Sequence, residues 1–483
     1  MKKIIISGLL LAFIATVSCD KELEQFSNTN TFVDNAFKSY TDYRFALDGV
    51  YDAMKRTGYF SGGDSGSQNI MADLTADNLI QSPSGRLTET RSWLLEFGPD
   101  DGQTTALYGA GYFAISRANF VLENLNKGVL TPAESLQVEA EARALRGIIH
   151  FDIARAYCKI PTQSSDANTS LGIAYMTTTS NTPVTRNLNV SQVYEKIIAD
   201  LEFAKANIPA TNNTAAPFVK GRLNKASVAG LLSRVYLFMG DNVKALAAAE
   251  ESIAISPSVG AIGNFPSVWN STNQDGTLLE ILNSDAERVT IGSCYNQIIS
   301  GAIKSEFVVY KNFYDLYKAT DVRKNSYFKV STFSGLSYIN VIKYNTRGSL
   351  PNVVNYKYLR TAEVYLNGAE AAFSSNQARA LALLNILRQS RYSDYSPLNL
   401  TGTALWDEIQ KERRLELMGE ADRWYTLKRL GLSLSRPNQG ALSNGNGTPA
   451  PTPTLSSTSN KWQWPIPIDA INLNPQIQQN PGY

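Results

Sequence analysis

Cysteine and histidine are scarce in this chain of 483 residues, which has three cysteines and one histidine. If Cys19 is modified, as argued below, only Cys158 and Cys294 remain, and a disulfide framework or a CxxC metal pair is excluded. Cys158 continues the apolar face of a predicted helix, which favours a buried thiol. A disulfide bridge to Cys294 is the alternative. A zinc site built from several histidines is also excluded.

His150 is the one histidine from which a Ser-His-Asp triad would have to be built. It lies inside a long amphipathic helix pattern, which favours a structural imidazole over a catalytic one. We therefore expect no essential cofactor. A structural calcium ion held by loop oxygens remains open.

Long runs of one charge are missing, and so are long apolar runs after Val17. The formal net charge is +2, from 45 basic and 43 acidic residues. This balance lacks the basic patch typical of nucleic-acid-binding proteins. Because no later stretch offers about 18 apolar residues, we expect no membrane-spanning helix in the mature protein.

The first residues have the pattern of a bacterial lipoprotein signal. Lys2 and Lys3 precede an apolar stretch over residues 4–17, which is too short to span a bilayer, and a small residue stands before Cys19. Cleavage after residue 18 and acylation of Cys19 would anchor the protein, since each buried CH₂ contributes about 0.8 kcal/mol. The alternative is an ordinary secretory signal in which Cys19 is incidental. The charged residues 20–24 resemble the signal that sends such lipoproteins to the cell surface.

Amphipathic helices joined by short turns recur along the chain. Within residues 222–257, two apolar stripes at helical spacing are separated by Gly240 and Asp241, a helix stop followed by a helix cap. Residues 357–392 repeat this arrangement, and residues 131–134 form a capping box. The spacing in the first pair fits a tetratricopeptide unit of 34 residues. We therefore predict a mainly α fold built from tetratricopeptide-like helix pairs.

Four long segments between these helices are rich in glycine, serine, asparagine and aromatic residues. Long loops without secondary structure are uncommon in compact domains and are often functional. The chain also contains 24 tyrosines, 19 phenylalanines and 6 tryptophans, which suits recognition of neutral polar ligands such as sugars. We interpret the helices as a scaffold and the loops as the binding surface; the segments are residues 58–102, 161–189, 260–351 and 431–460.

The carboxyl-terminal half contains several specific motifs. They are Glu412-Arg413-Arg414-Leu415-Glu416-Leu417, Arg423-Trp424-Tyr425, Leu427-Lys428-Arg429, Trp464-Pro465-Ile466-Pro467, and a helix from Arg360 to Glu370 of the form R-x-A-E-x-Y-L-x-x-A-E. Together with the lipoprotein start and the helix pairs, they closely resemble the SusD/RagB family of Bacteroidetes surface lipoproteins. The chain departs from the family at Glu420-Ala421-Asp422, where Glu-Gly-His is usual, and at Thr426, where aspartate is usual.

The charged motif itself has a structural explanation. Glu412 shares a helical face with Leu405 and Ile409, so we expect it to point inward and to pair with an arginine such as Arg413 or Arg414. A buried ion-pair network is therefore preferred to an active site here.

The resemblance implies a single SusD-like domain over residues 19–483, after a signal peptide over residues 1–18. Its amino-terminal part would span about residues 20–215 and its carboxyl-terminal signature part about residues 280–483. It also implies a lipid-anchored, non-enzymatic receptor at the cell surface that works beside a SusC-like TonB-dependent transporter of the outer membrane.

Ligand contacts are expected in two of the long segments. A sugar needs an exposed aromatic ring against its C–H face and nearby polar groups for its hydroxyls. Members of the family commonly place part of the binding surface in the amino-terminal loop region. The candidate residues are Asp73, Asp77, Asn78, Arg86 and Trp93 in the first segment and Trp269, Tyr295, Tyr314 and Tyr317 in the third.

Two other functions remain open from the sequence. A surface glycoside hydrolase needs only a pair of carboxylates, and 43 acidic residues could supply one. The helix pairs do not alternate with strands as in a β/α barrel, which argues against that class. The third possibility is a tetratricopeptide scaffold that binds only protein.

Overall fold

The computed structural model describes residues 36–61, 68–180, 184–344 and 346–483. The signal peptide, Cys19 and the glycine-rich stretch at 62–67 lie outside the described residues. The described part is mainly α-helical, which confirms the predicted fold class. In chain order the helices are α1 (Tyr40–Ala53), α2 (Gln68–Leu74), α3 (Thr90–Trp93), α4 (Gly102–Glu123), α5 (Pro132–Tyr157), α6 (Val190–Asn207), α7 (Lys225–Met239), α8 (Asn242–Ile255), α9 (Phe265–Trp269), α10 (Lys311–Tyr314), α11 (Val322–Tyr327), α12 (Thr361–Ala372), α13 (Gln377–Gln389), α14 (Gly402–Glu416), α15 (Arg423–Arg429) and α16 (Ile468–Leu473).

The predicted helix pairs are present, and they stack on one another. Helix α7 ends at Gly240, whose φ of 78° places it in the left-handed region, and the Asp241 side chain caps α8 by accepting from the Lys244 amide. Helix α8 packs on α12, which pairs with α13. Helices α4, α5 and α6 pack in sequence, and Thr131 and Glu134 form the predicted capping box of α5.

The strands are short and form two-stranded antiparallel sheets. Most lie in the segment 260–351, which the sequence analysis treated as an irregular loop. Two of its hairpins turn at Ser300-Gly301 and Ser334-Gly335, where φ is positive at both residues, as type I′ turns require. The strands are β1 (Leu79–Gln81), β2 (Thr277–Ile281), β3 (Gln297–Ile299), β4 (Ala302–Lys304), β5 (Phe307–Val309), β6 (Phe328–Phe333), β7 (Leu336–Val341), β8 (Thr346–Arg347), β9 (Leu350–Pro351), β10 (Tyr356–Arg360), β11 (Leu434–Ser435) and β12 (Thr454–Leu455), paired as β1–β5, β2–β10, β3–β4, β6–β7, β8–β9 and β11–β12.

A buried ion-pair network joins α14 to its neighbours. Glu412 is fully buried, as predicted, but its arginine partners are Arg323, at 2.8 Å, and Arg388. The expected partners, Arg413 and Arg414, leave the helix in other directions because successive residues are rotated by about 100°. Arg413 pairs instead with Asp422, and Arg414 lies near Asp77. Asp422 is one of the residues at which the chain departs from the family pattern.

His150 is structural. It is fully buried on α5, where its Nδ1 bonds the Arg146 carbonyl at 2.9 Å and its Nε2 accepts from the Met176 amide at 3.0 Å. Burial lowers its pKa to about 3, so the ring is neutral at physiological pH. Cys158 and Cys294 are both buried and are not joined by a disulfide, which resolves the question of a bridge.

The Trp-Pro-Ile-Pro run and the residues after it form a strap across the surface of the helices. Trp464 and Ile466 are fully buried, and the Trp464 amide donates to the Ala156 carbonyl at the end of α5. The Asn480 amide group donates to the Tyr157 and Trp464 carbonyls at 2.6 and 2.7 Å. The strap therefore closes over the amino-terminal helices.

Within the ranges that the structure covers, no helix combines the length and apolar content needed to cross a membrane. The main hydrophobic cluster contains residues from Phe37 to Ile466, and a second cluster surrounds α12, α13 and α14. The two predicted parts of the chain thus contribute to a shared core, and the domain boundaries remain a prediction.

Candidate ligand-binding site

Two irregular segments meet in a surface groove of about 260 Å³. The first follows β1 and runs into α3, and the second is the loop between β11 and β12. The second segment lies within residues 431–460, one of the predicted binding segments, and it is a folded loop in which Gly440 and Leu442 donate backbone hydrogen bonds to Gly445 and Asn446. The groove is lined by Gln81, Ser82, Pro83, Leu87, Trp93, Ala441, Leu442, Gly447, Thr448, Pro449 and Pro451.

The loop between β11 and β12 is compact because Gly440 lets its two ends approach. A Cβ at this position would lie 2.4 Å from the Asn446 carbonyl oxygen and from the Gly447 backbone. Any other residue would push these ends apart. The loop is further held to β7 by the Ser443 hydroxyl, 2.9 Å from that of Ser337.

Arg436 ties the two segments of the groove together from beneath. It is 4% exposed and donates to the carbonyls of Ala76, Trp93 and Thr452 at 2.9, 2.7 and 3.3 Å. Its guanidinium also lies 5.5 Å from the centre of the Trp93 ring. Burial lowers its pKa to about 10, which leaves it protonated at neutral pH. Arg436 was not identified from the sequence.

Glu306 fixes the turn between β1 and α3. Its carboxylate accepts from Arg86 Nε at 2.8 Å and from the Thr88 hydroxyl at 2.6 Å, and its carbonyl accepts from the Ser82 amide at 2.7 Å. Arg86 is partly exposed beside the groove, with 39% of its side chain accessible. Of the predicted charged residues, Arg86 is therefore the one placed to reach a ligand.

Leu87 stands at the rim of the groove in an unusual conformation. Its side chain is 52% exposed, and its φ of 62° lies in the left-handed region. For a residue with a Cβ this region costs about 1–2 kcal/mol. An exposed leucine gains little burial energy to offset that cost, and such outliers cluster at binding sites.

Trp93 lines the groove but is 6% exposed, so it presents only part of its ring. Tyr314 is partly buried, and the Lys324 ammonium lies 4.4 Å from the centre of its ring. Tyr314 therefore keeps the larger exposed surface, whereas Trp93, which was expected to present an exposed ring, belongs to the buried core.

Besides Trp93, three more of the predicted aromatic residues are buried, which corrects the expectation that they present exposed rings. Trp269, Tyr295 and Tyr317 are 3%, 1% and 1% exposed. Trp269 packs under the Lys343 ammonium at 4.2 Å, and the Tyr317 hydroxyl donates to the Leu415 carbonyl at 2.8 Å. Their rings fill the core between the hairpins of residues 260–351 and α14, so a ligand cannot stack on them in this structure.

Asp73, Asp77 and Asn78 are likewise buried, contrary to the expectation of a polar surface. They connect the amino-terminal segment to α14 and α15. Asp77 accepts from Arg423 through two bonds of 2.7 Å, and Asn78 donates to Asp73 at 2.7 Å and accepts from Arg414 at 2.8 Å.

The pKa values of these two aspartates move in opposite directions. Burial raises the pKa of Asp73 to about 6. Burial also opposes ionisation of Asp77, but Arg414 and Arg423 outweigh it and hold its pKa well below the usual range. The two carboxyl groups therefore differ in their charge partners, although both lie where the amino-terminal segment meets α14 and α15.

The described ranges contain no cluster of metal-binding side chains. No group of three or more histidine, cysteine, aspartate or glutamate side chains converges there in a way that could hold an ion.

Comparison with known proteins agrees with this architecture. The family model described as "SusD family" matches residues 273–483, and the model described as "Starch-binding associating with outer membrane" matches residues 34–237. SusD-like protein P2 of Formosa agariphila is 27% identical to this chain, and the match covers 89% of this chain and 91% of the length of that protein.

Solved structures show the same fold. A SusD superfamily protein from Bacteroides thetaiotaomicron is 25% identical with a TM-score of 0.78, covering 92% of this chain and 100% of its own. A laminarin-binding SusD-like protein is 23% identical with a TM-score of 0.71, over 92% of this chain and 100% of its own. With the two family models covering most of the chain between them, and with the helix pairs, ion-pair network and strap in place, this protein belongs to the SusD/RagB family.

Proposed function

We propose that this protein captures neutral glycans at the cell surface and passes them to a TonB-dependent transporter of the outer membrane, without breaking a covalent bond. The observation that carries the proposal is Leu87, an exposed apolar side chain held in a costly backbone conformation at the rim of the groove. An apolar surface of this kind suits the C–H face of a sugar ring. The ring edge of Trp93 extends the same surface.

The rest of the groove offers polar groups without net charge. Gln81 and Thr448 provide an amide and a hydroxyl group, which match the alternating donors and acceptors of a saccharide. Arg86, beside the groove, is neutralised by Glu306 at 2.6 Å. These features support a neutral polysaccharide, and the laminarin-binding relative and the starch-binding description of the family model support the same class.

The hydrolase alternative is not favoured by the groove. Glycoside hydrolysis needs two carboxyl groups flanking the scissile bond. In the part of the chain that the structure describes, the side chains lining the groove include neither aspartate nor glutamate. We therefore expect no new reducing ends when the purified protein is incubated with a glycan that it binds.

The variant Leu87→Asn tests the glycan site without weakening the fold. Asparagine tolerates the left-handed region better than leucine, so the melting temperature should stay the same or rise. Loss of the apolar rim should weaken glycan binding about tenfold, equivalent to about 1.4 kcal/mol. Affinity gels and calorimetry with laminarin, soluble starch and xylan, using protein that lacks the residues before Asp20, would measure this.

Leu136→Asn provides the matched control. Leu136 is also exposed, at 43%, but lies on α5 away from the groove. This variant should bind glycan as the wild type does. Equal affinity in the wild type and Leu87→Asn would contradict the assignment of the groove, and binding to none of the polysaccharides would contradict the proposed function.

Attachment to the membrane is a separate part of the proposal, and it rests on Cys19. Two or three acyl chains, each CH₂ contributing about 0.8 kcal/mol, hold a protein at a membrane essentially permanently. Cys19→Ala should therefore move the protein from the membrane fraction to the soluble fraction of cells. Fractionation followed by immunoblotting measures the distribution, with Ser18→Ala, which keeps a small residue before the cysteine, as the control. Continued membrane attachment of Cys19→Ala would contradict a lipid anchor at this position.

A further inference from the structure

A second cavity, of about 490 Å³, lies at the ends of the helix pairs and shares no lining residue with the groove. Helices α7, α12 and α15 end there, and α8 and α14 begin there. Its volume falls within the range of about 300–1,000 Å³ that is typical of small-molecule sites. Two of its lining residues, Glu370 and Arg429, belong to the sequence motifs described above.

One wall of this cavity is aromatic. Trp406, on the first turns of α14, and Phe373, just after α12, are both partly buried, and their ring centres are 5.1 Å apart at an angle of 51°. Phe373 packs against the hydrophobic cluster around α12 to α14, so the wall has a rigid support. Both side chains line the cavity, which gives a ligand an extended apolar surface.

The charged groups in the cavity neutralise each other. Arg429 donates to both carboxylate oxygens of Glu370, at 2.6 and 2.7 Å, and the two residues are 3% and 5% exposed. Since the pair carries no net charge and both of its partners are already bonded, it does not favour an ionic ligand. An amino-acid zwitterion or a phosphate would find no unpaired counter-charge among these two residues.

Other polar groups in the cavity wall are available to a ligand. Within the described part of the chain, the Asn242 side-chain amide and the Trp406 indole N–H make no hydrogen bond. Thr403 adds an exposed hydroxyl on α14. Amide, hydroxyl and indole groups beside an aromatic wall are the combination that binds sugars, because hydroxyls need partners while the ring face is apolar.

We propose that this cavity binds a short neutral saccharide of one or two rings, independently of the groove. Trp406 and Phe373 contact the C–H face of the sugar, and Asn242 and Thr403 bond its hydroxyls. The volume of about 490 Å³ lies within the range of small-molecule sites and therefore suits a short sugar or a chain end. This protein would then bind a polysaccharide in the groove and a short fragment in the cavity.

Saturation-transfer NMR titrations with laminaribiose, cellobiose and maltose test this site. We expect at least one of the three disaccharides to bind the wild type, with saturable signals. Trp406→Ala should weaken that binding about tenfold or more, because it removes the larger ring of the wall. Asn242→Ala, which leaves the apolar cluster untouched, should weaken it about threefold or more, and it keeps the test valid if Trp406→Ala fails to fold.

The groove variant Leu87→Asn is the control that separates the two sites. It should bind the disaccharide as the wild type does, while Trp406→Ala and Asn242→Ala should retain polysaccharide binding on affinity gels. Absence of disaccharide binding by the wild type would overturn the proposal. Equal disaccharide binding by the wild type and Asn242→Ala, or loss of it in Leu87→Asn, would also overturn it. Polysaccharide binding at the groove is tested separately, by the affinity gels with Leu87→Asn and Leu136→Asn.

Discussion

Replacing Glu416 with glutamine is expected to lower the free energy of unfolding by about 3–5 kcal/mol, which is typical of a broken buried ion pair. Glu416 is fully buried, and its carboxylate accepts from Arg323, Arg360 and Arg391 at 3.1, 2.6 and 2.8 Å. Glutamine keeps the shape of the side chain but removes the charge that neutralises these guanidinium groups. Chemical denaturation of the soluble form, followed by circular dichroism, would show the midpoint moving to lower denaturant.

The effect should also depend on pH. Burial opposes ionisation of Glu416, but Arg391 and Arg360 outweigh it and hold its pKa well below the usual range of a glutamate. A carboxyl group with a lowered pKa in the folded state contributes stability above its unfolded pKa and loses that contribution as the pH falls. The difference between wild type and Glu416→Gln should therefore be full above about pH 5 and should shrink as the pH falls below 4.5.

Glu287→Gln is the matched control for this substitution. Glu287 also pairs with a basic residue, Lys55, but 38% of its side chain is exposed. Ion pairs in such surroundings contribute only about 0–1 kcal/mol. If Glu416→Gln shifted the midpoint no more than Glu287→Gln, the buried network would not stabilise the fold in the way described.

Arg436→Ala is expected to abolish glycan binding at the groove and to reduce stability by about 2–4 kcal/mol. Hydrogen bonds from a charged donor are each worth about 1.5–3 kcal/mol, and removal of the buried cation also relieves its desolvation cost, so the net loss is smaller than the sum. The carbonyls of Ala76, Trp93 and Thr452 would lose their shared donor. Because these carbonyls belong to both sides of the groove, its shape depends on Arg436 more than the overall fold does.

The test compares affinity and melting temperature in the same variants. Arg436→Lys should also bind glycan poorly, because a single ammonium group cannot bridge the three carbonyls as a planar guanidinium does. Arg347→Ala is the control, because Arg347 pairs with the exposed Asp285 at 2.6 Å and lies away from the groove. Retention of full glycan affinity by a folded Arg436→Ala protein would show that this arginine does not shape the site.

The helix pairs were predictable because their information is local. The apolar spacing of α7 and α8, the stop at Gly240 and the cap at Asp241 all lie within one stretch of about 30 residues. The inward position of Glu412 also followed from its helical face. Its partners did not, because Arg323 and Arg388 lie 89 and 24 residues away, and only the tertiary fold brings them to α14.

The candidate site was less predictable for the same reason. Trp269, Tyr295 and Tyr317 have the composition expected of a sugar-binding surface, but whether an aromatic ring is exposed depends on what packs over it. The hairpins at Ser300-Gly301 and Ser334-Gly335 carried a recognisable turn signal in the sequence, and reading it would have shown that this segment has its own packed interior. Leu87 and Arg436 carried no local signal at all.

The strap also imposes an order on assembly. Asn480 bonds the Tyr157 carbonyl across 323 positions of the chain, and the Trp464 amide bonds the Ala156 carbonyl nearby. Contacts between such distant positions form slowly, since a long loop must close before they contribute. The end of α5 therefore stays uncovered until the strap around Trp464 and Asn480 packs against it.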